Sequence, residues 1–264
     1  MGNSKQRTGR NLIVQGSVLA IASLIVRLIG IVYRIPLTNI VGNEGMGYYG
    51  FAFEVYQILV ILATNAVPVA VSKLTAARVA RHEYKNAQAI FKCSIIFAAV
   101  LSGTLALFTF VGARWISMVM FGGITEVAPA LRVLAPTVFV CAVMGVFRGY
   151  TQGLGNMAPT AFSQVVEQLF NAVVSVAAAA ILISRGAAFG AAGGTLGTFM
   201  GAVSSLVFLY LVYSSYRPQL ARRMNSETSG KQNNLSDDWP DHYPSGADIF
   251  YLSDQQSVGF SLVQ

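Results

Sequence analysis

Long apolar runs alternate with short polar connections along most of this chain. A helix that crosses a bilayer needs about 20 mostly apolar residues, and six runs meet that length. The pattern therefore predicts an all-α, polytopic membrane helix bundle of about six transmembrane helices within residues 1–216. The predicted segments are 12–34, 47–72, 88–112, 128–150, 159–184 and 187–215.

The character of the chain changes at Arg217, where the last apolar run has ended. Residues 217–264 are polar and hold six of the eleven acidic residues of the protein. Polar and acidic composition of this kind is typical of segments that are disordered or loosely ordered. We expect 217–264 to form a polar, disordered, cytoplasmic tail.

Basic side chains concentrate in three places: the N-terminus, the connection between the second and third segments, and the stretch after the sixth segment. The connection between the first and second segments, 38–45, holds no Lys or Arg. Because Lys and Arg favour the cytoplasmic side of a membrane, this distribution predicts a multi-pass protein of the cell membrane with both termini in the cytoplasm.

Composition narrows the class of protein further. Hydrophobic residues make up 54% of the chain, charged residues 11%, and mean hydropathy is +0.57, which is typical of a membrane protein. The net charge of +7 comes from topology signals rather than from a nucleic-acid surface, so no nucleic-acid partner is expected. Two Cys and two His at unrelated positions predict no metal site. Neither a catalytic residue nor a cofactor site is predicted, and we expect a protein that is not an enzyme.

The first apolar segment carries two arginines on one helical face. Arg27, Gly30 and Arg34 follow the spacing i, i+3 and i+7. An arginine inside a spanning helix costs at least a few kcal/mol, so its presence needs a reason. One interpretation is that Arg34 reaches the headgroups while Arg27 pairs with a neighbouring helix. The other is a cationic wall of a polar cavity that binds an anionic substrate.

Three other segments carry polar stripes with helical spacing. Gln and Asn side chains cannot face lipid without loss of hydrogen bonds, so these stripes face either other helices or a hydrated cavity. Both interpretations stay open for each residue. The candidate substrate-binding residues on all four segments are Arg27, Arg34, Glu54, Asn65, Arg148, Gln152, Gln164, Glu167 and Asn171.

Two glutamates of these stripes are candidate counter-ions. A pairing of Glu54 or Glu167 with Arg27 or Arg148 would lower the free-energy cost of burying both charges. Alternatively, one of the two glutamates is a protonation site that couples transport to an ion gradient.

Several short motifs, taken together, resemble one family. They are Arg27-Leu-Ile-Gly30 with Tyr33-Arg34, and the stretches 41–45, 66–73, 147–153, 156–160 and 163–168. In this combination the chain resembles the stage V sporulation protein B-like polysaccharide transporters, over about residues 1–216. These belong to the multidrug/oligosaccharidyl-lipid/polysaccharide exporter superfamily, which includes the lipid II flippases.

The resemblance implies a flippase for undecaprenyl-pyrophosphate-linked sugar precursors of cell-wall or surface polysaccharide. It implies alternating access, with Arg27 and Arg34 on the pyrophosphate of a lipid-linked oligosaccharide and with membrane lipids around the bundle. Family members carry twelve or more helices in two pseudo-symmetric lobes, and this chain resembles the N-terminal lobe only. The implied assemblies are a homodimer or a pairing with a partner half-transporter.

Two other functions stay open at this point. One is a truncated, non-transporting fragment or scaffold of the same family. The other is a cationic drug exporter of the same superfamily, which the arginines of the first and fourth segments disfavour because a cation site needs acidic side chains.

Overall fold

The computed structural model describes the backbone of residues 2–64 and 66–237, and side chains within 16–61 and 67–218 together with 220–222 and 225. Regular structure in the described part of the chain is entirely helical, which confirms the predicted all-α class. The helices are α1 (Gly2–Thr64), α2 (Ala66–Ala80), α3 (Tyr84–Met120), α4 (Ala128–Gly153), α5 (Ala158–Leu182) and α6 (Ala187–Asp237), with a 3₁₀ turn at Ile183–Arg185.

Helix α1 is broken into two arms at Gly42, whose φ of 72° and ψ of 175° are not helical. This backbone region is essentially restricted to glycine. The apolar stretch Gly16–Ile61 has 46 residues. As one straight helix it would be roughly 69 Å long, more than twice the ~30 Å hydrocarbon core. We call residues 16–41 the first arm and residues 43–61 the second arm.

The two arms run antiparallel, because residues equally distant from Gly42 line the same cavity. Arg34 lies eight residues before Gly42 and Gly50 lies eight residues after it. Arg27 and Gln57 are each fifteen residues from Gly42. The break therefore folds α1 into a helical hairpin.

Five described helices are long and apolar enough to cross a membrane, and the first of them contains both arms. Counting the arms separately accounts for the six predicted segments. The second predicted segment, 47–72, is divided in the structure: α1 ends at Thr64 and α2 begins at Ala66. Asn65, a predicted site residue between them, lies outside the described residues.

The connections between helices alternate between two ends of the bundle. At one end, a side chain added at Gly45 would lie 3.0 Å from the carbonyl oxygen of Ala187, so the hairpin turn adjoins the start of α6. Phe51 and Phe121 stack with ring centroids 4.7 Å apart, which brings the α3–α4 connection near the same turn. At the opposite end, Gly153 contacts Ser72 of α2.

Helix α4 is the centre of the bundle, and much of its surface is buried against α1, α2 and α3. Its glycines at 145, 149 and 153 allow close approach of α2. A methyl group at Gly149 would lie 2.5 Å from the carbonyl oxygen of Pro68. A second row, at 193, 197 and 201 on α6, packs in the same way on α5. Small residues are the usual means by which helices pack closely in lipid.

Helix α6 continues to Asp237, beyond the predicted boundary of the transmembrane domain at residue 216. Between Pro218 and Asp237 the sequence holds no further proline and includes Gln, Leu, Ala, Arg and Met, which favour helix. The polar composition that suggested a tail from 217 onward therefore does not end the helix. Residues 238–264 of the predicted tail lie outside the described residues.

Candidate substrate cavity

A cavity of about 990 Å³ lies between the two arms of α1. The first arm contributes positions 27–34 and the second arm contributes positions 49–58. The lining residues are Arg27, Gly30, Ile31, Tyr33, Arg34, Tyr49, Gly50, Phe53, Glu54, Gln57 and Ile58. One wall thus combines guanidinium, carboxylate, amide and aromatic groups.

The hairpin register sets which of these residues face each other. Gly30 and Glu54 each lie twelve residues from Gly42, so Glu54 lies at about the same level of the hairpin as the glycine between Arg27 and Arg34. The two arginines are seven residues apart, about two helical turns or ~10.5 Å along the axis. The cavity therefore presents two cations with one acid at the level between them.

The charged residues of the cavity form no ion pair among the described side chains. The two ion pairs there are Arg78–Glu83 and Arg148–Glu167. Arg27, Arg34 and Glu54 are all exposed. A wall with two cations against one acid has a positive excess, which attracts anions strongly when the surroundings have a low dielectric constant.

The Arg78–Glu83 pair lies outside the apolar segments, at the connection between α2 and α3. The side-chain amide of Asn86 and the guanidinium of Arg78 both donate to the Glu83 carboxylate, at 2.9 and 2.8 Å. These hydrogen bonds, the one from Asn86 first, lower the pKa of Glu83 below its ordinary value. Because they hold the turn between two helices, we assign this pair to the connection and not to the cavity.

Arg148 is engaged inside the bundle rather than in the cavity. Its Nε donates to Ser163 Oγ at 3.0 Å, and its Nη2 donates to Glu167 Oε2 at 2.6 Å and to Ser205 Oγ at 3.0 Å. The Arg148 side chain is 16% exposed and that of Glu167 27%. Of the pairings considered from the sequence, Arg148 with Glu167 is present. It joins α4, α5 and α6.

The other polar residues of α4 and α5 also make internal contacts. Gln152 donates to Thr160 Oγ1 at 3.4 Å. The single hydroxyl proton of Ser175 is shared between two acceptors, Asn171 Oδ1 at 2.9 Å and the Gly194 carbonyl oxygen at 2.7 Å. Gln164 Oε1 is buried without a hydrogen-bond partner among the described residues.

The structure thus divides the predicted site residues into two groups. Arg27, Arg34 and Glu54 come together in the cavity wall. Five others, on α4 and α5, do not line this cavity: Arg148, Gln152, Gln164, Glu167 and Asn171. Four of the five, Arg148, Gln152, Glu167 and Asn171, make hydrogen bonds within the bundle, whereas Gln164 Oε1 has no partner among the described residues.

Several cavity residues were absent from the predicted set. Gln57 belongs to the same polar stripe as Glu54, so helical spacing could have included it. Tyr33, Tyr49 and Phe53 also line the cavity. Aromatic residues in a membrane helix are as common in helix packing and on lipid-facing surfaces as in cavities. No local signal therefore separated these three residues from the other aromatic residues.

Comparison with known proteins agrees with this architecture. The chain matches the family model described as "Polysaccharide biosynthesis protein" over residues 13–240. It is 30% identical over 217 residues to Stage V sporulation protein B of Bacillus subtilis (strain 168), covering 81% of this chain and 42% of that protein. It is 27% identical over 230 residues to Lipid II flippase MurJ of the same organism, covering 83% and 42%.

A solved structure shares the fold. A multidrug resistance MATE family transporter of the MOP superfamily, in its outward-facing conformation, superimposes with a TM-score of 0.60 at 22% identity. The match covers 73% of this chain and 43% of that chain. The chain spans less than half the length of the curated relatives it matches. These matches confirm the predicted family resemblance and the multi-pass membrane fold.

Proposed function

This chain belongs to the polysaccharide biosynthesis protein family, and we propose that it forms an arginine-lined part of a flippase for lipid-linked sugars. The substrates would be undecaprenyl-pyrophosphate-linked precursors of cell-wall or surface polysaccharide. The observation that carries the proposal is that Arg27 and Arg34 line one cavity while neither forms an ion pair among the described side chains.

The chemistry of the cavity suits a pyrophosphate. Guanidinium groups bind phosphate oxygens in a bidentate manner, and they stay charged at any physiological pH. Arginine side chains two turns apart can bend toward one another and hold a single pyrophosphate from both sides. The isoprenoid chain would stay in the lipid while the headgroup crosses in the cavity, which avoids placing a dianion in hydrocarbon.

Transport in this proposal requires a second wall that moves relative to the hairpin. Alternating access in transporters built from repeats is largely rocking of one bundle against another around a fixed site. We propose that a second lobe supplies that wall, as further polypeptide, a second copy or a partner half-transporter. The same MurJ relative is a lipid II flippase.

A cationic drug exporter is the second candidate, since the solved structure with the same fold is a multidrug transporter. Such a substrate needs an excess of acidic groups in the cavity. Here one glutamate faces two arginines. The other glutamate of the polar stripes, Glu167, is paired with Arg148. The sign of the cavity charge therefore favours an anionic substrate.

Binding is tested with undecaprenyl pyrophosphate and the purified full chain in detergent, by native mass spectrometry. We expect R27Q and R34Q each to weaken binding about tenfold or more, as loss of a hydrogen bond to a charged group predicts. R114Q is the matched control, because Arg114 is an exposed arginine of α3 away from the cavity. Equal affinity in all four proteins would contradict the proposal.

Transport is tested separately in proteoliposomes, by following the exposure of a fluorescent pyrophosphate-linked lipid in the outer leaflet. The flippase proposal expects lipid scrambling or transport that R27Q abolishes. If a second copy supplies the second wall, the native mass spectra in detergent should also show a dimer. Binding without transport by a monomer would exclude a second copy as the other lobe, and would leave further polypeptide, a partner half-transporter or a non-transporting scaffold.

A further inference from the structure

Gly30 leaves an opening in the cavity wall between the two arginines. A side chain built there would meet one heavy atom within 4 Å outside its own helix, the amide nitrogen Nε2 of Gln168 at 3.3 Å. Gln168 lies on α5, which packs along α1. The amide of a neighbouring helix thus points at Gly30, one of the two glycines of the cavity wall; the other, Gly50, has no atom within 4 Å of an added Cβ.

The Gln168 amide makes no hydrogen bond among the described residues, and its side chain is half-buried. A glutamine amide carries two N–H donors. A donor without an acceptor in a membrane helix is unfavourable unless a ligand or water accepts its hydrogen bond. By contrast, two neighbouring polar residues of α5 are engaged. Glu167 pairs with Arg148, and Asn171 accepts from Ser175.

We infer that Gln168 is a third anion-binding residue, whose amide N–H reaches past Gly30 and donates to the oxygen atoms of the group held by Arg27 and Arg34. This inference rests on the proposed function. The two arginines supply charge from one helix, whereas Gln168 supplies a neutral, directional donor from another. A hydrogen bond between helices of this kind fixes the orientation of the phosphate as well as its position.

Gly30 gives an independent test of the same contact. An alanine there would place its Cβ 3.3 Å from the amide nitrogen, closer than most Cβ contacts, so the amide would have to move. The variant G30A keeps both arginines and Gln168 itself. Weaker anion binding by G30A therefore reports on the approach of the amide and not on the loss of a charged side chain.

The experiment measures the affinity of the full chain for undecaprenyl pyrophosphate, with undecaprenol as a probe that lacks the anion. We expect Q168L to bind the pyrophosphate about tenfold more weakly, and Q168E more weakly still because its carboxylate repels the anion. G30A should weaken binding several-fold. Q88L is the matched control, since Gln88 is a half-buried glutamine of α3 outside the cavity. Undecaprenol binding should be the same in every variant.

Three outcomes would overturn the inference. Wild-type affinity in Q168L and Q168E, with loss in R27Q and R34Q, would remove Gln168 from the site while the proposed function stands. A parallel fall in undecaprenol binding would show that Gln168 only packs. Full affinity in G30A would show that the amide does not pass this opening. Failure of the proposed function is distinct, because R27Q and R34Q would then keep wild-type affinity.

Discussion

Arg148 on α4 and Glu167 on α5 form an ion pair of 2.6 Å between Nη2 and Oε2. The same guanidinium also bonds Ser163 and Ser205, both fully buried, so one side chain joins three helices. In the low dielectric of a membrane bundle, a charge that is paired and hydrogen-bonded in this way is tolerated, whereas a single unpaired charge is not. The pair is therefore a structural element that the bundle depends on.

Removing one partner of the Arg148–Glu167 pair should destabilise the protein more than removing one partner of an exposed pair. We expect R148L to lower the free energy of unfolding by about 3 kcal/mol, because Glu167 is left without its partner. The measurement is reversible unfolding in mixed micelles with increasing SDS. R78L is the control: the Arg78 side chain is 41% exposed, and such pairs contribute about 0–1 kcal/mol. Equal losses in the two variants would contradict a structural role for Arg148.

Gly42 should resist substitution because its backbone conformation folds α1 into the hairpin. We expect G42A to cost about 1–3 kcal/mol, since any side chain is strained at this φ and ψ. Gly47 offers a matched control, for it lies in the same helix with no atom within 4 Å of an added Cβ and no positive φ. G47A should be neutral or slightly stabilising in the same SDS titration. Unchanged stability in G42A would mean that the break can move along α1.

Local pattern was enough to predict most of the fold. The length of an apolar run and the period of a helix are visible within each segment, so the helices and their polar stripes were found without tertiary information. The break at Gly42 falls in the short connection 38–45 that the pattern already separated from both arms. The end of α6 at Asp237 was not visible in the pattern, because the polar residues after Pro218 resemble a loop in composition.

The candidate site was only partly accessible from the sequence. Arg27 and Arg148 look alike along the chain, since each is an arginine within an apolar helix with other polar residues at helical spacing. The difference is tertiary: Arg148 meets Glu167 and two serines, while Arg27 faces the opposite arm across the cavity. Gln168 lies at helical spacing from Gln164 and Asn171, but nothing local shows that its amide points at a glycine of α1.

Close packing of α2 on α4 depends on Gly149. We expect G149A to lower the free energy of unfolding by about 1–3 kcal/mol, because the new methyl group would lie 2.5 Å from the Pro68 carbonyl oxygen. Gly103 is the control, since a Cβ there would meet Phe139 at an ordinary 3.8 Å. G103A should change stability by no more than a few tenths of a kcal/mol or increase it, as glycine is a poor helix former. Comparing G149A with G103A distinguishes the effect of the contact with the Pro68 backbone from a general effect of replacing glycine in a helix.

The orientation in the membrane is tested by labelling at the two ends of α3. Arg81 precedes this helix and Thr125 follows it, and the 37 residues between Tyr84 and Met120 are about 55 Å long, enough to separate the ends across a bilayer. Basic residues near Arg81 predict that this end is cytoplasmic. In a variant without Cys93 and Cys141, we expect T125C to react with a membrane-impermeant maleimide in intact cells and R81C to react only after permeabilisation.

The reverse labelling would change the proposed mechanism as well as the topology. The hairpin turn at Gly42 lies at the same end of the bundle as the α3–α4 connection, because Phe51 stacks on Phe121. If T125C were cytoplasmic, that turn would be cytoplasmic too, and Arg34 would lie nearer the inner leaflet than Arg27. In the predicted orientation Arg27 lies nearer the cytoplasm, so a headgroup loaded from the inner leaflet meets Arg27 before Arg34. R27Q should then slow loading from that leaflet more than R34Q does, measured as the rate at which proteoliposomes take up a pyrophosphate-linked fluorescent lipid.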